Sequence, residues 1–275
     1  IIVIKSERVE DKRRAKILRD QKSMLLYDFE NVVKYIDIFE EDKYIFIVMN
    51  YCENLDLLKF IKKNENVSEE NKLEFIWRII IFTVIGLYEL HSNAIIHKDI
   101  RPENILLTSD YYPKIGSPDL NTNEGKSNVI SIQGYVLQPE SIGYMSKELF
   151  FDEIFTKKTD VWALGAVFYY LATGVPLFET KKQSIISQGV YDEKPLEKLN
   201  DDLKNIIKFI LQVDTQKRPF TDDIIENEIF KKYCKKYNYE EKLKKFLSKE
   251  NSDKVVNISE NGYPRPSKEN DNLYK

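Results

Sequence analysis

The chain has 275 residues, of which 42% are hydrophobic and 32% charged, and its formal net charge is only −3. This length is ample for one large domain or two lobes, and so small a net charge gives no reason to expect nucleic acid or a membrane surface as a partner. Two cysteines suit a reducing compartment and give no disulfide framework. The sequence shows no signal peptide and no apolar run long enough to span a bilayer. We therefore expect a protein of the cytoplasm, with the nucleus as the alternative.

The first fifty residues are predicted to be rich in β-structure. Residues 1–5 are β-branched up to a lysine and predict a strand, and two further strands are predicted at 32–40 and 44–51. Residues 7–27 are charged with scattered apolar positions, a pattern that favours a helix. Because the chain begins inside a strand and without a methionine, we expect it to be a piece of a longer protein.

A long helix is predicted from Ser68 to about His91, after a connecting segment at 52–55. Ser68 is a candidate N-cap, with two glutamates in the turn that follows it. Apolar residues recur at helical spacing along the segment, at Leu73, Ile76, Trp77, Ile80, Val84, Leu87 and Tyr88. This periodicity favours a helix over the whole segment.

Two short strands and a buried helix are predicted further along the chain. The strands fall at 105–108 and 114–116, and a polar stretch with little periodicity follows them at 117–147. Residues 160–173 are apolar nearly all round, which predicts a buried helix that Gly174 ends.

The last part of the chain is predicted to be helical and then disordered. Amphipathic helices are expected at 202–213 and 221–230, and a last short helix near 239–247. The composition turns to Lys, Glu and Asn after residue 231, and we expect 250–275 to be disordered. The sequence has no internal repeat.

The segment between the long helix and the first of the short strands carries the most specific pattern in the chain. It reads Ile-His97-Lys-Asp99-Ile-Arg-Pro-Glu-Asn104, with an amide five residues after a carboxylate. The pattern matches H-R-D-L-x-x-x-N, in which the carboxylate accepts the proton of a substrate hydroxyl and the amide holds a metal ion on the phosphates. The chain therefore resembles the eukaryotic-type serine/threonine protein kinases, over roughly residues 1–230.

The resemblance implies an α+β fold of two lobes. A partial small lobe at 1–51, truncated at its N-terminus, would precede a mostly helical large lobe at 52–232. The large lobe would contain the catalytic loop at 97–104 and the activation segment at 117–148, and a charged, partly disordered tail would occupy 233–275. The implied cofactors are ATP and Mg²⁺, and the implied partners are a nucleotide and a protein substrate or protein partner.

The resemblance also implies an ATP site. Lys5 ends Val3-Ile4-Lys5, which resembles the V-A-I-K strand whose lysine grips the α- and β-phosphates. The segment 49–52 resembles the connection whose backbone holds the adenine. The other implied contacts are Val3 and Leu106 on the two faces of the ring, Met49 behind it, the backbone of Asn50 and Cys52 at its edge, and Asp56 at the ribose. The alternative is that these are ordinary surface, core or loop residues.

The partner expected for Lys5 is altered. In the family this lysine pairs with a glutamate on the next helix. Counting back from Asn31-Val32-Val33, which resembles the family's H-P-N-I-V segment, that place falls on Asp20. Aspartate is one methylene shorter, so we expect a weak or broken ion pair; an exposed aspartate on a charged helix is the alternative.

Around the catalytic loop the resemblance implies a role for each polar residue. Asp99 would be the base, Asn104 a magnesium ligand, and Arg101 would take the place of a lysine that touches phosphate. His97 is expected to pack beneath the loop rather than to act as a base. Lys98 replaces the family's arginine and keeps the charge but not the bidentate fork.

The largest departure from the family lies at Ser117-Pro118-Asp119, where the family has D-F-G. Ser117 replaces the aspartate that binds Mg²⁺, and a neutral hydroxyl is a poor ligand for a hard dication. Asp119 is a possible substitute ligand, although Pro118 stiffens the backbone beside it. The family's glycine-rich loop should precede Lys5, and the chain does not reach back that far.

The scaffold residues of the family are better kept. Ser141 takes the place of the threonine that helps to bind a substrate, and Asp160 that of the aspartate that braces the catalytic loop. Glu148 and Arg218 match a buried ion pair of the large lobe, whereas Lys147 replaces a proline.

We therefore expect a protein kinase domain of the serine/threonine type that is catalytically impaired, or a pseudokinase that acts through protein partners. The alternative is an active ATP-dependent kinase that transfers the γ-phosphate to a protein hydroxyl, with Asp99 as the base. A kinase of small molecules is a third and weaker hypothesis, because the segment that ends at Glu148 and the helix from Asp160 favour protein substrates.

Overall fold

The structure is a computed structural model of the chain. It describes residues 2–8, 18–19, 21–42, 44–63, 69–116, 130–132, 135–137, 141–178 and 183–244. The chain divides into two compact units, Ile1–Lys231 and Lys232–Lys275.

The small lobe is built on a three-stranded antiparallel sheet. Its strands are β1 (Ile2–Arg8), β2 (Tyr35–Glu41) and β3 (Tyr44–Asn50), in the order β1-β3-β2. Strand β1 pairs along its whole length with β3, which places the backbone of Lys5 opposite Ile47. In the turn between β2 and β3, Asp42 has a φ of 53°, a left-handed conformation that aspartate tolerates better than most residues.

The second strand begins at Tyr35 rather than at the predicted residue 32. Val32 instead forms a bridge with Ile115, and the Val33 N–H donates to the Ile115 carbonyl at 2.8 Å. The β-branched run therefore marks extended chain, as predicted, but its first residues pair with the large lobe instead of the small-lobe sheet.

The helix predicted at 7–27 is described only in its last part. Helical backbone at 18–19 and 21–22 runs into a 3₁₀ turn at Ser23–Leu26, and residues 9–17 lie outside the described residues. The Tyr35 hydroxyl donates to the Gln21 side-chain oxygen at 2.9 Å, which ties this segment to β2.

The first half of the large lobe consists of α1 (Leu57–Lys63), α2 (Glu69–Ser92), β4 (Ile105–Leu107) and β5 (Pro113–Ile115). Helix α2 agrees with the predicted helix to within a residue at each end, and its stretch 79–87 is buried throughout. Strands β4 and β5 are the two short strands predicted at 105–108 and 114–116, and the structure pairs them antiparallel. Helix α1 was not predicted; the Asp56 carboxylate caps its first turn by accepting from the Lys59 N–H at 2.9 Å.

A second antiparallel pair lies in the segment predicted to lack periodicity. Its strands are β6 (Ile130–Ile132) and β7 (Tyr135–Leu137), with Ser131 opposite Val136. Two 3₁₀ turns follow, at Ser141–Tyr144 and Lys147–Phe150.

Helix α3 (Lys157–Thr173) is the buried helix expected from its composition. Thirteen of its residues are buried, including Trp162 and Phe168, which are fully inaccessible to solvent. Thr156 caps its start by accepting from the Thr159 N–H. Gly174 ends it with a φ of 76°, and nearly every residue other than glycine would be strained there.

The remaining helices are α4 (Gln183–Ile186), α5 (Asp201–Ile210), α6 (Thr221–Glu226) and α7 (Glu228–Lys236). The single helix predicted at 221–230 is thus wrong: Asn227 is extended, with φ −64° and ψ 133°. Its side-chain oxygen accepts from the Ile229 N–H at 2.9 Å, so Asn227 ends α6 and caps the start of α7.

The second unit is described over 232–244. Helical backbone at 240–244 agrees with the start of the helix predicted near 239–247, and its remaining residues lie outside the described residues. In the part of the chain that the structure describes, none of the helices combines the length and the apolar character that crossing a bilayer requires.

Candidate functional site

The loop that carries His97, Lys98 and Asp99 is held from below by one carboxylate of the buried helix α3. Asp160 accepts from the His97 N–H on Oδ2 at 2.7 Å and from the Lys98 N–H on Oδ1 at 2.9 Å. The His91 ring lies 3.0 Å from the same Oδ2, and both side chains are almost completely buried. The backbone of the loop is therefore fixed to the core at two consecutive amides, and Lys98 is kept in a left-handed conformation with a φ of 70°.

We expect Asp160→Asn to lower the free energy of unfolding by about 2 kcal/mol, because an amide can accept from only one of the two N–H groups and turns its own NH₂ toward the other. Urea unfolding measures this change. The exposed Asp201→Asn is the matched control, and equal effects of the two substitutions would contradict the bracing role of Asp160.

His97 packs beneath the loop, as expected. It is fully buried; its Nε2 lies 3.1 Å from the Gly116 carbonyl and its Nδ1 accepts from the Asp99 N–H at 3.2 Å. These two contacts define a neutral imidazole that donates from Nε2. Burial lowers the pKa of His97, so the ring is uncharged at neutral pH and acts as a structural link.

Asp99, the predicted base, is buried and has polar partners on both carboxylate oxygens. Oδ1 accepts from the Ser141 hydroxyl at 2.7 Å, and Oδ2 accepts from the Asn104 Nδ2 at 2.7 Å. The Arg101 Nε lies 3.3 Å from Oδ2 as an ion pair without hydrogen-bond geometry. An ionised carboxylate oxygen has two lone pairs, so Oδ1 keeps one for a substrate hydroxyl. The predicted residues Asp99, Arg101 and Asn104 thus lie together.

Asn104 is oriented by its bonds to the loop. Its Nδ2 donates to the Asp99 carbonyl at 2.8 Å as well as to the Asp99 carboxylate, which leaves Oδ1 as the oxygen available to a cation. The Gly116 N–H donates to the Asn104 carbonyl at 2.7 Å, so the chain that leads to residue 117 is tied to the same loop. Gly116, the last described residue before the predicted metal position 117, is therefore bonded directly to Asn104.

The donor set around that position does not fit Mg²⁺ well. Ser117, Pro118 and Asp119 lie outside the described residues, but their chemistry is given by the sequence: a hydroxyl stands where the family has a carboxylate. The two matched donors, one amide oxygen and one hydroxyl, supply no negative charge, whereas a hard dication is bound chiefly by carboxylates and phosphates. Asp119 stays the possible substitute ligand.

The connection between the lobes runs along β4. The Asn50 N–H donates to the Lys34 carbonyl at 3.0 Å, and the Asn54 N–H donates to the Leu107 carbonyl at 3.0 Å. Asp56 forms a bridge with Leu106, which is half-buried between two buried neighbours. The predicted adenine residue Leu106 and the predicted ribose residue Asp56 are therefore adjacent.

The other residues predicted to bind ATP differ in their surroundings. Met49 and Cys52 are buried and Asn50 is exposed. The Asp56 carboxylate is engaged in an ion pair with Lys59 at 2.7 Å besides its capping bond. The side chains of Val3 and Lys5 and the whole of Asp20 lie outside the described residues, so the predicted Lys5–Asp20 pair stays a prediction.

The expected ion pair between Glu148 and Arg218 is present. Arg218 is 1% exposed, and its Nη1 and Nη2 donate to the two oxygens of the Glu148 carboxylate. Two carbonyls complete its shell, that of Lys158 at 2.9 Å from Nη1 and that of Gln212 at 2.9 Å from Nε. The guanidinium also lies over the Trp162 ring, 4.9 Å from its centre, so the pair joins three segments of the large lobe.

Two carboxylates near these elements were not identified from the sequence. Glu103 lies in the motif itself, and its buried Oε2 has no hydrogen-bond partner among the described residues. Burial is the main cause that raises the pKa of Tyr144 and of Tyr170, and electrostatic repulsion by the Glu103 carboxylate raises both further. Glu89 on α2 is the other, and it contacts the chain that enters β2. Glu103 directly precedes Asn104 and could have been found from that position; Glu89 gave no local signal.

Comparison with known proteins places these features in a family. The family model described as the protein kinase domain matches residues 1–230. Calcium-dependent protein kinase 6 of Plasmodium berghei is 28% identical over 242 residues, which are 84% of this chain and 16% of that protein. Serine/threonine-protein kinase cds1 of Schizosaccharomyces pombe is 30% identical over 213 residues, 72% of this chain and 44% of that protein. The chain thus spans less than half the length of either relative.

A solved structure agrees in fold. The crystal structure of Rad53 residues 1–466 in complex with AMP-PNP matches with a TM-score of 0.66 and 21% sequence identity, over 83% of this chain and 58% of that one. At this identity the likeness concerns the fold alone, and it confirms the two-lobed α+β architecture expected from the sequence.

Proposed function

Because this chain belongs to the eukaryotic-type protein kinase family, we propose that it is a serine/threonine-kinase-type domain that binds ATP, is impaired in phosphoryl transfer and acts through protein partners. The observation that carries the proposal is Ser117 at the place of the family's metal-binding aspartate. Asn104 is then the remaining matched metal ligand, and it is neutral.

The physical argument concerns charge at the phosphates. Phosphoryl transfer in this family depends on Mg²⁺ that bridges the β- and γ-phosphates and neutralises the charge that develops there. A carboxylate at position 117 would supply the negative charge that holds the ion, and a serine hydroxyl does not. The phosphates can still attract Mg²⁺ themselves, so binding of the nucleotide is less affected than its reaction.

A second function, an active protein kinase, is favoured by the surroundings of Asp99. Its carboxylate is buried, is hydrogen-bonded to Ser141 and Asn104, and keeps a lone pair on Oδ1. This is the arrangement that a base needs in order to accept a proton from a substrate hydroxyl. The scaffold of the loop therefore supports catalysis even though the metal ligands do not.

The test is transfer of phosphate from ATP to casein by the longest native chain, with Asp99→Asn as the control. We expect transfer no faster than in the control, together with ATP binding in calorimetry that changes little when Mg²⁺ is removed. Transfer that disappears in Asp99→Asn would establish the active kinase instead. Absence of ATP binding with and without Mg²⁺ would overturn the nucleotide part of the proposal.

A further inference from the structure

The chain that enters strand β2 is held to the large lobe by one buried carboxylate. Glu89 on helix α2 is 5% exposed and accepts from two consecutive backbone amides. Its Oε1 accepts from the Glu30 N–H at 2.7 Å and its Oε2 from the Asn31 N–H at 2.8 Å. Both oxygens of a single side chain are thus used to fix one turn of the backbone, which we call the 30–33 turn.

Strand β5 holds the opposite side of the 30–33 turn. The Ile115 N–H donates to the Asn31 carbonyl at 2.9 Å, and the Val33 N–H donates to the Ile115 carbonyl at 2.8 Å. The Lys114 ammonium donates to the Glu30 carbonyl at 2.9 Å. The turn therefore lies between α2 and the strand that leads to Gly116, and it is hydrogen-bonded to both.

Helix α2 and the 30–33 turn also touch without a side chain between them. A Cβ at Gly86 would lie 2.7 Å from the Asn31 carbonyl oxygen, closer than real Cβ contacts allow. Gly86 precedes Glu89 by one turn of the helix. Glycine at position 86 therefore allows α2 to approach the 30–33 turn closely, and Glu89 supplies the hydrogen bonds between them.

The two amide bonds are strongest when Glu89 is ionised. A carboxylate accepts fully from both N–H groups, whereas an oxygen that carries a proton either directs its O–H toward the N–H or accepts from it more weakly, so one of the two bonds is broken or weakened. Burial raises the pKa of Glu89 to about 7, against the opposing effect of the amides, and the Glu30 carboxylate raises it further. Both protonation states are therefore populated near neutral pH.

Among the described residues on the elements around Glu89, three other charged or titratable side chains have partners of their own. Lys114 on β5 bonds to the Glu30 carbonyl, and Lys34, after the turn, pairs with Asp28 at 3.0 Å. His91, on the same helix as Glu89, lies against Asp160. Burial of the Glu89 carboxylate is therefore the main cause of its sensitivity to pH, and Glu30 is the charge that adds to it.

We propose that Glu89 is a proton-sensitive anchor between the two lobes, which binds both amides of the 30–33 turn as a carboxylate and releases one of them when it takes up a proton from solvent. This anchor requires neither a bound nucleotide nor catalysis, so it is independent of the proposed function. Release loosens the attachment of β2 to α2, and with it the position of β5 beside the catalytic loop.

Stability and anchoring change in opposite directions with pH, which separates this role from a merely structural one. Since the pKa of Glu89 in the folded chain lies above its ordinary value of 4.5, the group favours folding below about pH 4.5, and this contribution is lost as the pH rises through about 7. Above about pH 7, therefore, Glu89 is charged and binds both amides, but its charge lowers the free energy of unfolding. If Glu89 had only a structural role, its replacement would lower both the protection of the two amides and the free energy of unfolding.

The test is amide hydrogen exchange at Glu30 and Asn31 by NMR, corrected for intrinsic rates, at pH 8 and pH 6. In the unaltered chain we expect the protection of one of the two amides to fall about tenfold between these values. Glu89→Gln should show the low protection at both pH values, while its midpoint in urea at pH 8 is no lower than that of the unaltered chain.

Two controls separate charge from packing. Glu74→Gln, on the same helix but paired with Arg78, should leave protection at Glu30 and Asn31 unchanged. Gly86→Ala should reduce protection without altering its dependence on pH. The proposal is overturned if the unaltered chain shows equal protection at pH 6 and pH 8, or if Glu89→Gln keeps full protection at pH 8. The pH series of the unaltered chain decides the question even if a variant fails to fold.

Discussion

Replacing Ser117-Pro118-Asp119 by Asp-Phe-Gly is expected to raise Mg²⁺-dependent phosphoryl transfer by about 100-fold or more. The substitution restores a carboxylate to the metal position, and the proposed base, Asp99, is already held by Ser141 and Asn104. The initial rate of transfer from ATP to casein at saturating Mg²⁺ measures the gain.

Two further variants show where the gained activity comes from. Adding Asp99→Asn to the restored chain should abolish the gained activity, which excludes a contaminating kinase. Ser117→Asp alone separates the charge from the backbone change at Pro118. If the restored chain binds ATP yet is no faster than the unaltered chain, the defect lies elsewhere, and the Lys5–Asp20 pair is the next place to examine.

Arg218→Met is expected to lower the free energy of unfolding by about 3–5 kcal/mol, the usual cost of removing one partner from a buried ion pair. The substitution leaves the Glu148 carboxylate largely buried without its cation, and it removes the donors of the Lys158 and Gln212 carbonyls. Urea unfolding followed by far-UV circular dichroism measures the loss.

A surface lysine provides the matched control for this prediction. Lys204 pairs with Glu197 and Asp201, whose side chains are 59% and 86% exposed, and Lys204→Met should leave stability nearly unchanged because ion pairs open to solvent contribute little. Glu148→Gln added to Arg218→Met should recover part of the loss, since the unpaired charge is then gone. A loss no greater for Arg218→Met than for Lys204→Met would show that the pair is dispensable.

Elements with strong local signals are predictable from this sequence. Helix α3 is marked by apolar residues on every side and by Gly174 at its end, and both signals operate within a few residues. The motif from His97 to Asn104 likewise identifies the loop on which Asp99 lies, because its residue types stand at the spacing of the family pattern.

Features that depend on distant partners are not predictable in this way. Val32 and Val33 are β-branched and predict strand, but only the fold shows that they pair with Ile115. The break at Asn227 is hidden because the apolar periodicity continues through it. In the sequence Glu89 looks like an ordinary surface residue of a helix. Its two partners, the N–H groups of Asn31 and Glu30, lie 58 and 59 residues earlier in the chain.

The bonds of Asp160 also determine when the catalytic loop can become ordered during synthesis. The amides of His97 and Lys98 bind a carboxylate that lies 63 and 62 residues further along the chain. At about 5–20 residues per second, the ribosome adds Asp160 roughly 3–12 seconds after it has added His97 and Lys98. During that interval the left-handed Lys98 has no brace, and the apolar face of α2 lacks the helix α3 that will cover it. The loop can therefore take its braced conformation only after the buried helix has been synthesised.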